Sequence, residues 1–350
     1  MIHDDPLVTG VSSDEASSTE TPPRRTAPKE SQTLLNLERF ALPGVFILVL
    51  VFFSLWSTTG STFSRVANFQ EVGSSQAYLG ILALAAMIPL ICGEFDFSVG
   101  PIAGVSQVAT AAAMSRFHAP LALAIVIGIA FGAFIGLTNG AVVARIGVNS
   151  LIVTLGMAGI LLGLVNWYTS GQSISLGISP TLTSFGSSNW LGFPKVCYLL
   201  LVGALLVYYL LVHTPFGRYL TSVGSNRQAA RLVGLRVERL TMMSFVLSGT
   251  LAGLAGVLLV ARTGSANPQI GTVADTLQAL AAVFLGATAI RPGRFNVLGT
   301  MIAIYFIAFT VTGLQIAGVQ PWINDVFNGG ALFIAVIVST LLGRKRAGIS

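Results

Sequence analysis

The sequence predicts an all-α integral membrane protein of about ten transmembrane or partly broken helices, with both termini cytoplasmic. Three observations predict it. Of 350 residues, 53% are hydrophobic and only 9% are charged, against about 25% charged in soluble domains. The apolar residues gather in long uncharged runs without strand-like alternation, which leaves helices as the structure able to satisfy its own backbone in lipid. Glycine is abundant, at 38 residues, as in membrane helices that approach one another closely.

The elements follow in chain order. Residues 1–33 are rich in Ser, Thr, Pro, Asp and Glu and hold no apolar h-region. They read as a disordered cytoplasmic tail and not as a signal peptide. A polytopic domain then occupies 34–346. Its apolar segments are roughly 40–57, 76–92, 99–114, 119–144, 151–169, 196–212, 241–261, 277–290, 295–313 and 323–343. Several fall short of the ~20 residues a perpendicular span needs. Short neighbours such as 76–92 and 99–114 therefore read as broken or buried helices, tolerated only against protein or a cavity. With the N-terminus inside and alternating crossings, fifteen of the nineteen Lys and Arg residues fall inside. Only Arg65, Arg116, Lys195 and Arg262 fall outside, the asymmetry expected of cytoplasmic loops.

The Ser/Gly-rich outer loop 170–195 carries one Lys. It reads either as an ordinary solvated loop or as a surface met by an extracellular partner. Asp275 and Asp325, near outer segment ends, read as solvated or as contacts for an extracellular partner. Cys92 and Cys197 lie within or beside apolar runs and read as small buried hydrophobes, with no disulfide or metal spacing. His3, His118 and His213 are scattered, and no nucleophile–base pair or metal constellation is legible. The phosphate-loop pattern G-x-x-x-x-G-K-[ST] does not occur, and the three lysines, Lys29, Lys195 and Lys345, lie in other settings. The chain is therefore not read as an enzyme, and no cofactor is expected to bind it. Its net charge of +6 sits between membrane segments and is not a nucleic-acid signal.

One stretch departs from this apolar background: "GSNRQAARLVG", Gly224 to Gly234. Ser225 followed three residues later by Gln228 predicts a capping box, and Gly234 is placed to end the helix at C′. Arg227 and Arg231 share one helical face. Ala229, Ala230 and Val233 share roughly the opposite one. A helix this short is marginal alone and must pack on something: lipid headgroups gripped by its arginines, or a partner protein.

Here the sequence resembles a known family. "TPFGRYLTSVGSNRQAARLVGL" (Thr214 to Leu235) resembles the cytoplasmic coupling segment of permease subunits of bacterial ABC importers, ribose-type monosaccharide branch. "GEFDFSVG" (Gly93 to Gly100), "GLTNGAVVARIGVNSLIVTLG" (Gly136 to Gly156) and "AGLAGVLLVARTGSANPQIG" (Ala252 to Gly271) are similar to further family motifs in the same order. Glu94 departs from the family's usual glycine, Phe97 replaces leucine and Pro101 follows the S-V-G. The resemblance implies a multi-pass inner-membrane subunit moving a monosaccharide or similar small polyol. It implies a coupling segment over 213–240, with Ser225, Asn226, Arg227, Gln228, Ala229, Ala230, Arg231, Val233 and Gly234 meeting a cytoplasmic ABC ATPase. ATP is then used by that ATPase. A periplasmic sugar-binding protein and a second permease chain complete the assembly, with membrane lipid around it.

The polar residues in apolar segments admit two roles each. A carboxylate at mid-bilayer costs about 2.5 to 3.5 kcal/mol on insertion scales. Glu94 and Asp96 are thus either helix-break residues facing protein or hydrated groups at the inner interface. Asn139 either bonds a neighbouring helix or lines the substrate path. Asn166, Trp167 and Tyr168 offer an amide beside aromatic faces, as sugar sites do, or belong to an interfacial aromatic belt. Glu94 and Asp96 are also the groups an ion-coupled secondary transporter, the competing reading, would have to use.

Overall fold

The computed structural model describes residues 32–346, with side chains over 39–338. The tail assigned to 1–33, with His3 and Lys29, therefore lies outside the described residues except for Gln32 and Thr33, which begin the first helix. The helices are α1 Gln32–Leu55, α2 Gly60–Phe63, α3 Val66–Ile91, α4 Val99–Ser115, α5 Leu121–Ala141, α6 Ser150–Thr169, α7 Pro180–Ser187, α8 Lys195–His213, α9 Pro215–Ser225, α10 Arg227–Leu232, α11 Val237–Thr263, α12 Val273–Gly286, α13 Val297–Ile316 and α14 Ile323–Arg346. A π-helical turn, Val142–Ile146, continues α5. A two-residue hairpin, β1 Asn189–Trp190 with β2 Phe193–Pro194, sits in the loop after α7.

Each of the ten apolar segments falls on one of these helices, but they are not equal spans. Among the described residues, six helices are long and apolar enough to cross a membrane: α3, α5 with its π turn, α6, α8, α11 and α13. The apolar parts of α1, α12 and α14 are shorter. At 1.5 Å per residue α12 rises only about 21 Å, against a hydrocarbon core of about 30 Å. Of the roughly ten transmembrane or partly broken helices expected, six have spanning length and composition, and shorter apolar helices accompany them. The segment set at 76–92 is also longer than its apolar core, because α3 begins at Val66.

Packing explains the glycine content. Gly128, Gly132, Gly136 and Gly140 recur every fourth residue of α5 and face α11. A Cβ on Gly132 would meet the carbonyl oxygen of Gly249, and one on Gly249 the carbonyl oxygen of Gly132. The two backbones touch, so close dispersion contact takes the place that water exclusion holds in soluble proteins. On the other side of α11 lies α3, whose stretch from Ala83 to Ile88 is wholly buried.

Residues 264–272 form no helix. They run antiparallel to α4 and bring the chain back into the bundle. The buried Gln107 of α4 holds this stretch, its Nε2 donating to the carbonyls of Asn267 (2.8 Å) and Ile270 (2.7 Å). Gly104 then abuts Gly271, and Gly100 N–H donates to Thr276 Oγ1 at 3.0 Å. Helix α12 therefore starts inside the bundle, opposite the start of α4. Asp275 is not solvated as the sequence suggests. It accepts the N–H groups of Gly271 and Thr272, each at 2.8 Å, and so fastens the first turn of α12.

The loop 170–195 is also more than a solvated connection. It carries α7, packed against α11 with Gly186 on the carbonyl of Ala261. The hairpin is tied to α3 by Gln70 Nε2 donating to Gly192 O at 2.8 Å. Trp190, Leu191 and Phe193 at its tip are exposed.

Candidate functional site

The site grows from the break between α3 and α4. Pro89 lies near the end of α3, and Gly93 at φ +83° turns the chain away from it. The N–H groups of Cys92, Gly93 and Glu94 still donate to carbonyls of the last turn of α3, but those of Phe95 and Phe97 find no helical carbonyl and need other partners. Side chains supply them. Phe95 N–H donates to Ser150 Oγ (3.1 Å) and Phe97 N–H to Thr154 Oγ1 (3.1 Å), both on α6. Thr276 Oγ1 donates to Phe97 O at 3.2 Å.

Asp96 is the hub. It is wholly buried. Its Oδ1 accepts Ser98 N–H (3.0 Å) and Ser98 Oγ–H (2.6 Å), and its Oδ2 accepts Ser248 Oγ–H of α11 (3.0 Å). Ser248 lies about 16 Å along α11 from Val237 at 1.5 Å per residue, so the carboxylate sits well inside the bundle. Asn139 of α5 joins the cluster, its Nδ2 donating to Ser98 Oγ at 2.8 Å. Of its two roles, the geometry shows the interhelical bond. Its Oδ1 is buried without a partner.

Glu94 faces the other way, toward α10. It pairs with the Arg227 guanidinium, which also donates to Thr241 Oγ1 of α11 at 3.2 Å. The short basic helix is thereby pinned to the helix break. Because the Arg227 side chain is 43% exposed, solvent screens the pair. A double-mutant cycle of Arg227→Ala and Glu94→Ala is expected to give a coupling of about 1 kcal/mol in thermal unfolding. Additive losses would mean that the pair holds nothing.

Two features of α10 differ from the sequence expectation. The cap is Asn226, whose Oδ1 accepts Ala229 N–H at 2.9 Å. Ser225 is instead the last residue of α9, its Oγ donating to Thr221 O at 2.8 Å, so no Ser225–Gln228 capping box forms. The apolar face is also divided. Ala230 is 3% exposed and packs into the protein's own core. Ala229 is exposed, Val233 is 76% exposed and Leu232, which the sequence reading left out, is 89% exposed. Arg231 pairs with Glu238 at 2.6 Å. The C-terminus follows expectation: Gly234 has φ +82°. Leu235 N–H donates to Ala230 O and Gly234 N–H to Arg231 O, both at 3.0 Å, the Schellman arrangement.

Of the residues offered for a substrate path, Trp167 and Tyr168 share one groove, which neither Asn139 nor Asn166 lines. Asn166 is exposed on α6 and donates to Leu162 O at 3.1 Å within its own helix. Trp167 is exposed, and Tyr168 lies beneath Arg116, whose guanidinium carbon is 4.4 Å from the ring centre. Trp167 and Tyr168 line a wholly side-chain apolar groove of about 370 Å³ with α4 and α5 residues. Such a groove has almost nothing for a hydroxyl to bond. A cavity lined by several amides stands elsewhere, between α3, α12, α13 and α14.

Among the described residues no cluster of three His, Cys, Asp or Glu suits a metal ion. Cys92 and Cys197 are free thiols, and Cys92 Sγ lies 3.6 Å from Thr241 Oγ1.

Comparison with known proteins matches this chain to transport proteins. A family described as "Branched-chain amino acid transport system / permease component" matches residues 70–336. The ribose import permease protein of Bacillus subtilis is 32% identical over 305 residues, 87% of this chain and 92% of that protein. The ribose import permease protein of Escherichia coli is 31% identical over 295 residues, 83% of this chain and 91% of that protein. The L-arabinose ABC transporter permease protein of Azospirillum brasilense is 30% identical over 294 residues, 84% and 86% of the two chains. No solved structure matches.

Proposed function

The chain belongs to the branched-chain amino acid transport system / permease component family, and from that premise we propose that it is the membrane-spanning permease of an ATP-driven ABC importer for a monosaccharide or similar small polyol. The observation that carries the proposal is the extent of the likeness. The family match takes in the helix break, α10 and five of the six spanning helices entire, and it starts within the sixth, α3. Relatives whose names specify ribose and arabinose import align along most of this chain.

In this reading both termini face the cytoplasm, as the distribution of Lys and Arg supports. Helix α10 then lies on the cytoplasmic side and is the element a separate ATPase grips. The partner's motion reaches the break through Arg227 and Glu94, and reaches α11 through Arg227 and Thr241. The break in turn is bonded to α5, α6, α11 and α12, so a shift of α10 has a continuous bonded route into the bundle. The hairpin tip at Trp190, Leu191 and Phe193 is on the opposite side, where a periplasmic binding protein would deliver sugar. Two such chains would frame the path. Asp96 already accepts three hydrogen bonds and Glu94 is paired, which leaves an ion-coupled mechanism without a vacant carboxylate at the break.

The test is uptake of labelled ribose, arabinose and leucine into proteoliposomes. These hold the chain with its ATPase and receive the binding protein outside. Uptake of one of the sugars is expected to require all three proteins and internal ATP, and to survive an uncoupler. Uptake by the chain alone down an ion gradient would replace the reading with a secondary transporter. Uptake of leucine and neither sugar would replace the substrate class.

A further inference from the structure

A cavity of about 210 Å³ opens between α3, α12, α13 and α14. Its polar wall is made of side-chain amides, those of Gln76, Gln278, Gln315, Asn324 and Asn328, with the hydroxyls of Ser75 and Thr312. No Asp, Glu, Lys, Arg or His lines it. Among the described residues, Gln278, Gln315, Asn324 and Asn328 make no side-chain hydrogen bond within the chain, and Gln76 makes only a 3.5 Å contact with Ser75 Oγ.

A polar group placed against apolar protein costs free energy unless it is bonded, and structural amides normally bond across helices, as Asn139 does to Ser98. Here amides from four helices converge, four of them half-buried and Gln315 exposed, and apart from the long Gln76–Ser75 contact they bond no protein group, so each stays open to water or a solute. Each offers two N–H donors and a carbonyl acceptor. Hydroxyl groups, which both donate and accept, match that set. A zwitterion or an anion finds no countercharge. The volume is below the ~300–1,000 Å³ of drug-sized sites, which fits one small solute.

The cavity's position gives it a role. Gln315 and Asn324 stand where α13 ends and α14 begins, at the end of the bundle far from α10. Leu79, which also lines it, is about 20 Å along α3 from Val66. The cavity thus runs from the far end toward the middle and closes on Gln278. Two residues from Gln278, Thr276 bonds Gly100 and Phe97 at the helix break.

We infer that this cavity is where the permease itself holds a neutral polyhydroxylated solute during passage, with Gln278 and Asn328 as its binding residues. The inference rests on the import reading above. It is tested in the reconstituted importer with ribose and arabinose as probes, comparing Gln278→Leu and Asn328→Leu with the wild-type chain. Transport of the imported sugar is expected to fall about tenfold, the loss of roughly one good polar contact. ATP hydrolysis stimulated by loaded binding protein is expected to stay within about twofold of wild type, a split that a merely structural defect would not produce. Should Gln278→Leu fold poorly, Asn328→Ala, a truncation nearer the far end, is read in the same way. Wild-type transport in these variants sinks this proposal alone and leaves the import reading standing. A wild-type chain that imports neither sugar sinks both.

Discussion

Asp96→Ala is expected to abolish recovery of folded protein. The side chain is wholly buried and accepts three hydrogen bonds. Its removal leaves Ser98 N–H, the Ser98 hydroxyl and the Ser248 hydroxyl with one acceptor fewer in a dry interior. Each stranded group costs about 1–3 kcal/mol, more where the lost partner was charged. The total approaches the ~5–15 kcal/mol of net stability of a typical domain. It also removes the bond from the break to Ser248 in the middle of α11. Asp96→Asn keeps the shape and an acceptor, so its loss is expected to be smaller. The measurement is monodisperse yield and thermal midpoint after detergent extraction. Normal yield from Asp96→Ala together with a changed sugar preference would move Asp96 out of the scaffold and into the path.

How much of this the sequence reveals depends on whether a signal is apolar or polar. Ten of the helices announce themselves by an apolar run, and so does the break, because Pro89, Gly93 and two carboxylates interrupt one. The first ten residues of α3 do not, since Asn68, Gln70, Glu71 and Ser74 look like loop. Only a partner surface explains why they are helical, and Ser74 and Glu71 find it in Arg262. The early start of α12 is hidden in the same way by Thr272 and Asp275, which fasten its first turn to the preceding stretch.

The cap of α10 was ambiguous for a different reason. Ser225 and Asn226 are both good N-cap residues, and the choice falls to Asn226 because α9 continues through Ser225. Helical periodicity put Ala230 on an apolar face but had no means of saying that the chain itself would cover it. For the cavity, a signal was present. Glutamines and asparagines at 76, 278, 315, 324 and 328 stand in or beside apolar segments, yet only the three-dimensional arrangement brings them together.

Leu232→Asp is expected to separate the permease from its ATPase without harming the permease. Leu232 is 89% exposed and Val233 76%, beside the exposed Ala229, so these three residues are the apolar surface that α10 has to offer. A carboxylate there is hydrated in the isolated chain and costs little. Buried in a partner's groove it would lack a countercharge and cost several kcal/mol, enough to lower association a hundredfold or more by the ~1.4 kcal/mol per decade relation. Yield and membrane insertion should stay near normal, while ATPase co-purification and sugar uptake are lost. Ala230→Asp makes the contrast. At 3% exposure it places the charge in the chain's own core, so it should lower yield before it affects any partner. The competing placement of α10 on lipid headgroups needs free cations. Arg227 and Arg231 are instead engaged by Glu94 and Glu238. If headgroups were nevertheless its partner, Leu232→Asp would lift the helix from the surface and leave the ATPase attached. Co-purification and uptake both at wild-type levels in Leu232→Asp would remove α10 from the coupling route, and with it the function assigned to the Arg227–Glu94 link.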